Sequence, residues 1–280
     1  MRAVGSGFVT TPDGVQLYYQ THGSGDAHLV VPGGVLVEDD LLPLADGRTV
    51  VFFDIRNRGR SDLVPADGNV GVPAEVDDID AIRRHFGLEH FSLLGWSYVG
   101  LIAALYAVRY PSHIDRLVMA CPVPPRDHDY GVPERDTGLQ TALRHVEALR
   151  EAGVAERDPV EFARQWRRAF VPTRMGNPSA FALLKSDPSR FPNEWPDHAQ
   201  SAQERVWNSL GPGFDFRMMI SAVAVPTLVI HGDADVMPAQ GSREWAEAIP
   251  NARLITLPGV GHFPWVEAPQ TFFETVDAFL

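Results

Sequence analysis

Short apolar runs alternate with longer amphipathic stretches along most of the chain. The runs are rich in Val, Ile, Leu and Phe, as expected of buried strands, and they lie at 29–31, 50–53, 91–94, 114–121, 225–230 and 252–257. Between two of them, Ile79, Ile82 and Phe86 repeat at helical spacing, which predicts a helix over 77–86 with one apolar face. Strands that alternate with helices favour an α/β fold, a mostly parallel, twisted sheet flanked by helices.

The pattern changes after the Pro-rich stretch 122–125. From about residue 125 to 215 there is no strand candidate, and apolar residues such as Phe162, Trp166 and Phe170 follow helical spacing instead. Strand and helix signals then resume. The chain is therefore predicted to form one core domain from residues 1–124 and 216–280, with residues 125–215 as a helical insertion.

Composition narrows the classes of function. A formal net charge of −12 disfavours nucleic acid and anionic membranes as partners, because both call for clustered Lys and Arg. Cys121 is the single cysteine, so no intrachain disulfide can form, which suits a reducing compartment. The start of the chain lacks the pattern of a leader peptide, and no apolar stretch approaches ~18 residues. We expect a soluble, cytoplasmic protein, and a homodimer is one expected state.

A serine follows the apolar run at 91–94 where a strand is predicted to turn sharply into a helix. The segment Gly95-Trp96-Ser97-Tyr98-Val99-Gly100 precedes the apolar stretch 101–107. A hydroxyl at such a turn is held in a strained backbone position, with the next amide N–H and a helix N-terminus ready to receive an oxyanion. The same pattern also suits a small residue in a tight turn, so Ser97 is a candidate nucleophile that needs partners.

Two later turns supply candidate partners. The strand at 225–230 opens into a turn that holds Asp233 and Asp235, and the strand at 252–257 is followed by His262. Serine is a weak nucleophile unless a base takes its proton and a carboxylate orients that base. The chain order Ser, Asp, His is the order of α/β-hydrolases.

These residues identify a resemblance to the α/β-hydrolase fold superfamily that covers nearly the whole chain. Its landmarks are the Asp13-Gly14 hairpin turn, the Pro32-Gly33-Gly34 loop, the turn 54–61, the serine segment 95–100, the acid turn 231–238, and the histidine turn with the Glu267-Ala268-Pro269 sequence. The serine turn and the Pro/Gly-rich start are most similar to the esterase and proline-iminopeptidase branch. The resemblance implies that the insertion is a helical cap over the active site.

The resemblance also implies roles for individual residues. It favours Asp235 as the acid, with Asp233 as the alternative, beside Ser97 and His262. The oxyanion hole would be formed by the backbone N–H groups of Gly34 and Tyr98, or by Val35 if the loop is wound differently. An apolar pocket under the cap is expected to bind substrate through Val35, Trp96, Val123, Trp166, Met237 and Phe263.

Two departures from the family pattern touch this site. Val99 stands where relatives mostly carry glycine, and its β-branched side chain needs extra room, part of which Gly100 can supply. Pro32 replaces the histidine that usually precedes the oxyanion glycines, which removes one backbone N–H just upstream. Neither change removes a group with an assigned role, so we expect an effect on rate rather than on mechanism.

The function predicted from these residues is hydrolysis of small-molecule carboxylic esters through an acyl-enzyme, without a cofactor or metal. A proline-iminopeptidase-like aminopeptidase is the first alternative, for which Glu194 and Glu204 are candidate holders of a substrate ammonium group. Lactone or carbon–carbon bond hydrolysis is the second alternative. A ligand receptor on a hydrolase scaffold, without turnover, is the third.

Overall fold

A computed structural model describes residues 4–65, 67–130 and 138–280. The parts of the predictions that fall on residues 1–3, 66 and 131–137, the last within the predicted insertion, lie outside the described residues. Within them the strands are β1 Gly5–Thr10, β2 Gln16–Gly23, β3 His28–Pro32, β4 Thr49–Phe53, β5 Phe91–Trp96, β6 Ile114–Ala120, β7 Thr227–Gly232 and β8 Ala252–Leu257. Every strand expected from the apolar runs is present.

The strands form a sheet in the order β1-β2-β4-β3-β5-β6-β7-β8 across the described part of the chain. β1 and β2 pair antiparallel, β2 meets β4 antiparallel, and the pairs from β4–β3 to β7–β8 are parallel. Alternate residues face opposite sides, because Val51 and Phe53 enter one buried cluster and Val50 and Phe52 enter the other. The prediction of a mostly parallel sheet covered by helices is confirmed.

Some helices pack on the two faces of the sheet, and others belong to the segment that connects β6 to β7 in the chain. They are α1 Gly34–Leu41, α2 Val72–His85, α3 Tyr98–Arg109, α4 Leu139–Glu151, α5 Val154–Arg157, α6 Pro159–Phe170, α7 Pro196–Leu210, α8 Arg217–Ile220, α9 Ala239–Ala248, α10 Pro264–Glu267 and α11 Pro269–Phe279. α2 begins earlier than the predicted 77–86, since Pro73 occupies its first turn. Its buried side chains include the acidic residues Glu75 and Asp78, which an apolar pattern cannot reveal.

The helical insertion is tied to the core at its base and along its inner side. Its two ends run antiparallel, where Asp127 N–H donates to the Phe214 carbonyl at 2.7 Å. Further along, the Glu194 carboxylate accepts from the Arg58 guanidinium (Nε at 2.8 Å) and from the Gly59 N–H (2.8 Å). Helices α4 to α7 lie between β6 and β7, and their assignment as a separate cap stays a prediction.

The approach of α3 to β5 is very close at two glycines. A Cβ atom on Gly95 would lie 2.5 Å from the Val99 carbonyl oxygen and 2.8 Å from the Gly100 Cα. A Cβ on Gly100 would not fit much better, because Pro122 Cβ lies 3.1 Å away. The tight crossing therefore falls at Gly95 and Gly100. The Val99 side chain is buried near Gly33, where an added Cβ would lie 3.7 Å from Val99 Cγ2, an ordinary van der Waals distance.

None of the helices in the described ranges combines the length and the apolar character that crossing a bilayer requires.

The close crossing generates a stability prediction. Gly95→Ala should lower the free energy of unfolding by about 2 kcal/mol or more, because the added methyl group overlaps backbone atoms that cannot rotate away. Urea denaturation followed by circular dichroism measures this change. Gly5→Ala is the control: its Cβ would meet only Thr21 Oγ1, at 3.2 Å on the edge hairpin, so its effect should stay within about 0.5 kcal/mol. Equal effects of the two substitutions would contradict the crossing.

Candidate active site

Ser97 occupies the turn between β5 and α3 with a backbone conformation that side-chain-bearing residues rarely adopt. Its φ is 56° and its ψ is −127°, and α3 begins at the next residue, Tyr98. Neighbouring strand ends hold the turn, since Ser97 N–H donates to the Ala120 carbonyl at 2.9 Å and the Ser97 carbonyl accepts from Val123 N–H at 3.2 Å. The strained turn presents the hydroxyl at the carboxyl edge of the sheet, as the sequence predicted.

Ser97, His262 and Asp235 form one continuous hydrogen-bonded chain. Ser97 Oγ lies 3.0 Å from His262 Nε2. His262 Nδ1 lies 2.9 Å and 3.0 Å from the two carboxylate oxygens of Asp235. His262 and Asp235 are both buried, whereas Ser97 is only half-buried, so the hydroxyl end of the chain is the end within reach of a substrate.

The geometry distinguishes the two candidate acids. Asp233 accepts from the Gly259 N–H at 2.6 Å, which makes it a residue that holds the turn. Burial would raise the pKa of Asp235, but the facing His262 and the Met237 N–H, which donates to Asp235 Oδ1 at 3.0 Å, outweigh burial and hold this pKa below its usual range. Asp235 is therefore ionised at neutral pH and can stabilise an imidazolium on His262.

The loop that carries His262 is fixed from several sides. His262 N–H donates to the Arg174 carbonyl of the insertion at 2.9 Å, and the indole N–H of Trp96 donates to the His262 carbonyl at 2.9 Å. Glu267 bridges the same loop and the insertion, because one carboxylate oxygen accepts from Gly261 N–H and the other from Asn177 N–H, each at 3.0 Å. The imidazole is thus held in place by both core and insertion.

Two backbone N–H groups at helix N-termini are free to receive an oxyanion. Gly34 is the first residue of α1 and Tyr98 the first of α3, and neither N–H has a hydrogen-bond partner within the described residues. The alternative donor, Val35 N–H, is occupied, because it donates to Asp54 Oδ1 at 2.6 Å. Gly33, with φ 79°, makes the turn that allows α1 to begin directly after β3.

Asp54 links the oxyanion loop to the turn after β4. Its carboxylate is fully buried and also accepts from the backbone N–H of Arg60 at 2.9 Å and from the Arg60 side chain, Nε at 2.7 Å. Gly59, with φ 54°, lies so near that a Cβ there would be 2.4 Å from Asp54 Oδ2. The other two arginines of this turn are also paired with carboxylates: Arg56 with Asp13 and Asp78, and Arg58 with Glu194.

Most residues predicted to bind substrate lie beside the three central side chains. The Val123 N–H donates to the Ser97 carbonyl, and the Met237 N–H donates to the Asp235 carboxylate. Val35 is held through its N–H by Asp54. Trp96 and Phe263 pack on each other with ring centroids 5.1 Å apart, and Trp96 lies 5.0 Å from the His262 ring. Trp166 differs, because it packs within the insertion against Phe170 at 4.7 Å.

Sequence reasoning missed the position of Cys121. Cys121 lies directly after β6, with φ 46°, and its sulfur is close to both Asp235 and His262. Burial and the neighbouring Asp235 raise the pKa of the thiol well above its usual range. Unlike Ser97, Cys121 lies in no sequence motif that would indicate a positive φ.

Cys121, Asp235 and His262 also form a potential metal-ligand group, with ligand atoms within 4.8 Å of one another. The thiol is protonated and His262 Nδ1 is engaged with Asp235, so the arrangement suits a hydrogen-bonded relay better than a metal centre. His231, the other nearby histidine, is buried and bonded to Ser242 at 3.0 Å, and burial lowers its pKa, so it stays neutral.

Comparison with known proteins agrees with this architecture. The family model for the alpha/beta hydrolase fold matches residues 23–269. The chain is 28% identical to a proline iminopeptidase from Pestalotiopsis fici, covering 96% of this chain and 97% of that one. It is also 28% identical to a bifunctional esterase/perhydrolase from Acinetobacter calcoaceticus, covering 98% and 99%.

Among solved structures, an esterase from Exiguobacterium antarcticum superposes with a TM-score of 0.71 at 22% identity, covering 98% of this chain and 99% of that one. At that identity the likeness concerns the fold. The strand order, the serine turn and the match over residues 23–269 lead to one conclusion. The chain belongs to the alpha/beta hydrolase fold family and is an enzyme of the hydrolase class.

Proposed function

We propose that the protein hydrolyses small-molecule carboxylic esters through an acyl-enzyme on Ser97. The observation that carries this proposal is the unbroken chain from Ser97 Oγ through His262 to Asp235, with contacts of 2.9 to 3.0 Å. The strained φ of 56° at Ser97 adds support, because such a conformation persists only where the surrounding structure enforces it. The esterase named among the relatives agrees with this substrate class.

In the first half of the reaction, His262 Nε2 takes the proton from Ser97 as the hydroxyl oxygen attacks the ester carbonyl carbon. The carbonyl oxygen gains negative charge and accepts from Gly34 N–H and Tyr98 N–H. His262 then gives the proton to the leaving alcohol as the carbon–oxygen bond breaks, which leaves the acyl group on Ser97. Asp235 stays ionised throughout and stabilises the transient imidazolium.

In the second half, a water molecule replaces the alcohol. His262 takes a proton from this water, the resulting tetrahedral intermediate uses the same two N–H donors, and Ser97 regains its proton when the acid leaves. The insertion takes part indirectly, since the Arg174 carbonyl and Glu267 hold the loop of the general base. We propose that the insertion is also the cap that limits access, with the aromatic residues near Ser97 lining the substrate pocket.

Aminopeptidase activity is the second candidate, because one full-length relative is a proline iminopeptidase. That activity needs a carboxylate to hold the substrate ammonium group. The Glu194 carboxylate is occupied by Arg58 and Gly59, and Glu204 is exposed on α7. These two contacts favour the ester, and failure to cleave proline p-nitroanilide would agree with that preference.

The test of the proposed function is paired labelling and turnover. Wild type should react with a fluorophosphonate probe and release p-nitrophenol from p-nitrophenyl butyrate, and Ser97→Ala should lose both signals, with turnover reduced at least ~1000-fold. Ser92→Ala, a change of the same size on β5, is the control and should retain both. Turnover of the ester by Ser97→Ala at a rate near that of wild type would contradict the proposal. Labelling without ester turnover would favour the aminopeptidase or the lactone and carbon–carbon alternatives.

A second prediction concerns the oxyanion loop. Asp54→Asn should lower kcat on the same ester about tenfold with little change in KM, because the loop positions a donor that acts mainly in the transition state. It should also lower the free energy of unfolding by about 3 kcal/mol, since Arg60 loses its nearer charged partner and keeps only the Glu38 carboxylate, at 3.2 Å. Steady-state kinetics and urea denaturation measure the two effects. Asp62→Asn, an exposed carboxylate in the same turn, is the control, and an unchanged kcat in Asp54→Asn would contradict the role of Asp54.

A further inference from the structure

A small cavity lies behind the Tyr98 oxyanion donor, between the core and α7 of the insertion. Its volume is about 10 Å³, room for about one water-sized group. The apolar part of its wall includes Ile55, Val206 and Trp207, whose ring lies 6.1 Å from the Tyr98 ring. Its polar lining comes from Arg56, Asn57, Arg58, Glu75 on α2, Tyr98 and Gln203.

Two polar atoms in this wall are buried without a hydrogen-bond partner. They are the Tyr98 hydroxyl and Oε2 of Glu75, and the Glu75 residue is only 2% exposed. Leaving such a group unpaired costs about 1–3 kcal/mol, so native proteins rarely keep two in the wall of one cavity unless something binds there. The cavity is therefore built to hold a partner for both atoms.

The charge around Glu75 decides what kind of partner fits. Burial, and next the Asp78 carboxylate, raise the pKa of Glu75 to about 8, against the opposing effect of Arg58 and Arg56. Those two guanidiniums are themselves paired, Arg58 with Glu194 and Arg56 with Asp78 and Asp13. At neutral pH the cavity thus holds a neutral carboxyl group, a phenolic hydroxyl and no free carboxylate of its own.

We propose that this cavity is a specificity subsite for a neutral, oxygen-bearing group of the substrate, a hydroxyl or a carbonyl. The subsite rests on the proposed ester hydrolysis at Ser97 and adds to it a preference for hydroxylated or oxygenated esters. Tyr98 connects the subsite to the reaction, because its backbone N–H is the proposed oxyanion donor next to Ser97 and its side chain lines the cavity.

Other groups fit the subsite less well. A methyl group would leave the Tyr98 hydroxyl and Glu75 unpaired, and an ammonium group would face a protonated Glu75 and the nearby Arg58. A carboxylate is too large for about 10 Å³. A hydroxyl can donate to one of the two unpaired oxygens and accept from the other, and a carbonyl can accept from both.

The test compares esters that differ by one hydroxyl group. One pair is methyl hexanoate and its ω-hydroxy analogue, and the other is butyl hexanoate and the ester with an ω-hydroxyl on the butyl group. In a pH-stat, wild type should prefer the hydroxylated member of at least one pair by about tenfold in kcat/KM, the size of one net hydrogen bond. Tyr98→Phe should bring that ratio towards one.

Three further variants sharpen the comparison. Glu75→Leu should also remove the preference, whereas Glu75→Gln, which keeps hydrogen-bonding atoms, should retain most of it. Tyr110→Phe removes a hydroxyl at the far end of α3, where its partner is Asp77, and should leave the ratio unchanged.

Equal kcat/KM within both ester pairs, or an unchanged ratio in Tyr98→Phe, would overturn the subsite while leaving ester hydrolysis intact. Absence of turnover on all four esters, with Ser97 unlabelled by fluorophosphonate, would overturn the proposed function and the subsite with it.

The protonated state of Glu75 has its own readout, independent of activity. The carboxyl has an ordinary pKa of 4.5 and a folded-state pKa of about 8, so its contribution to stability is complete below the lower value and is lost as pH rises through the higher one. The free energy of unfolding of wild type, measured relative to Glu75→Gln, should therefore fall steadily across this window and level off above it. A difference that does not change with pH would mean a charged Glu75 and would contradict a neutral subsite.

Discussion

The close contact between β5 and α3 is the constraint on which the rest of the site depends. Gly95 and Gly100 allow the helix to cross the strand closely, and Ser97 makes the turn between them with a positive φ of 56°. This geometry lifts Ser97 from the sheet edge and directs the first N–H of α3 toward the same space. Val99 fits at this crossing because its backbone carbonyl, and not its side chain, faces Gly95, whereas its Cγ2 would lie an ordinary 3.7 Å from a Cβ placed on Gly33.

Carboxyl groups that accept from backbone N–H groups extend this constraint to the other parts of the site. Asp54 fixes the start of α1 and, through Arg60, the turn after β4. Glu267 fixes the loop of His262 and reaches the insertion at Asn177. Each carboxylate holds backbone N–H groups from separate segments, so a nucleophile, a base and an oxyanion loop that are far apart in sequence keep a common geometry. Removing either charge would leave buried donors unpaired.

Much of this could be predicted from the sequence, since strands, helices and glycine turns have local signatures. Ser97 and His262 stood in turns of recognisable composition, and the position of Asp235 followed from the family resemblance. Glu75 and Cys121 could not be found in the same way. Glu75 lies on a helix whose polar residues suggest exposure, yet α7 of the insertion buries it, and the strain at Cys121 arises from strands that meet only in the folded chain. Such features depend on tertiary contacts, which periodicity does not encode.

The most direct test of the central claim is to trap the acyl-enzyme and locate it. Wild type mixed with excess p-nitrophenyl butyrate and quenched in acid within the first turnovers should gain the mass of one butyryl group per chain. Proteolysis and fragment mass spectrometry should place that group on Ser97. A butyryl group on another residue, or rapid ester turnover without any covalent adduct, would contradict the account.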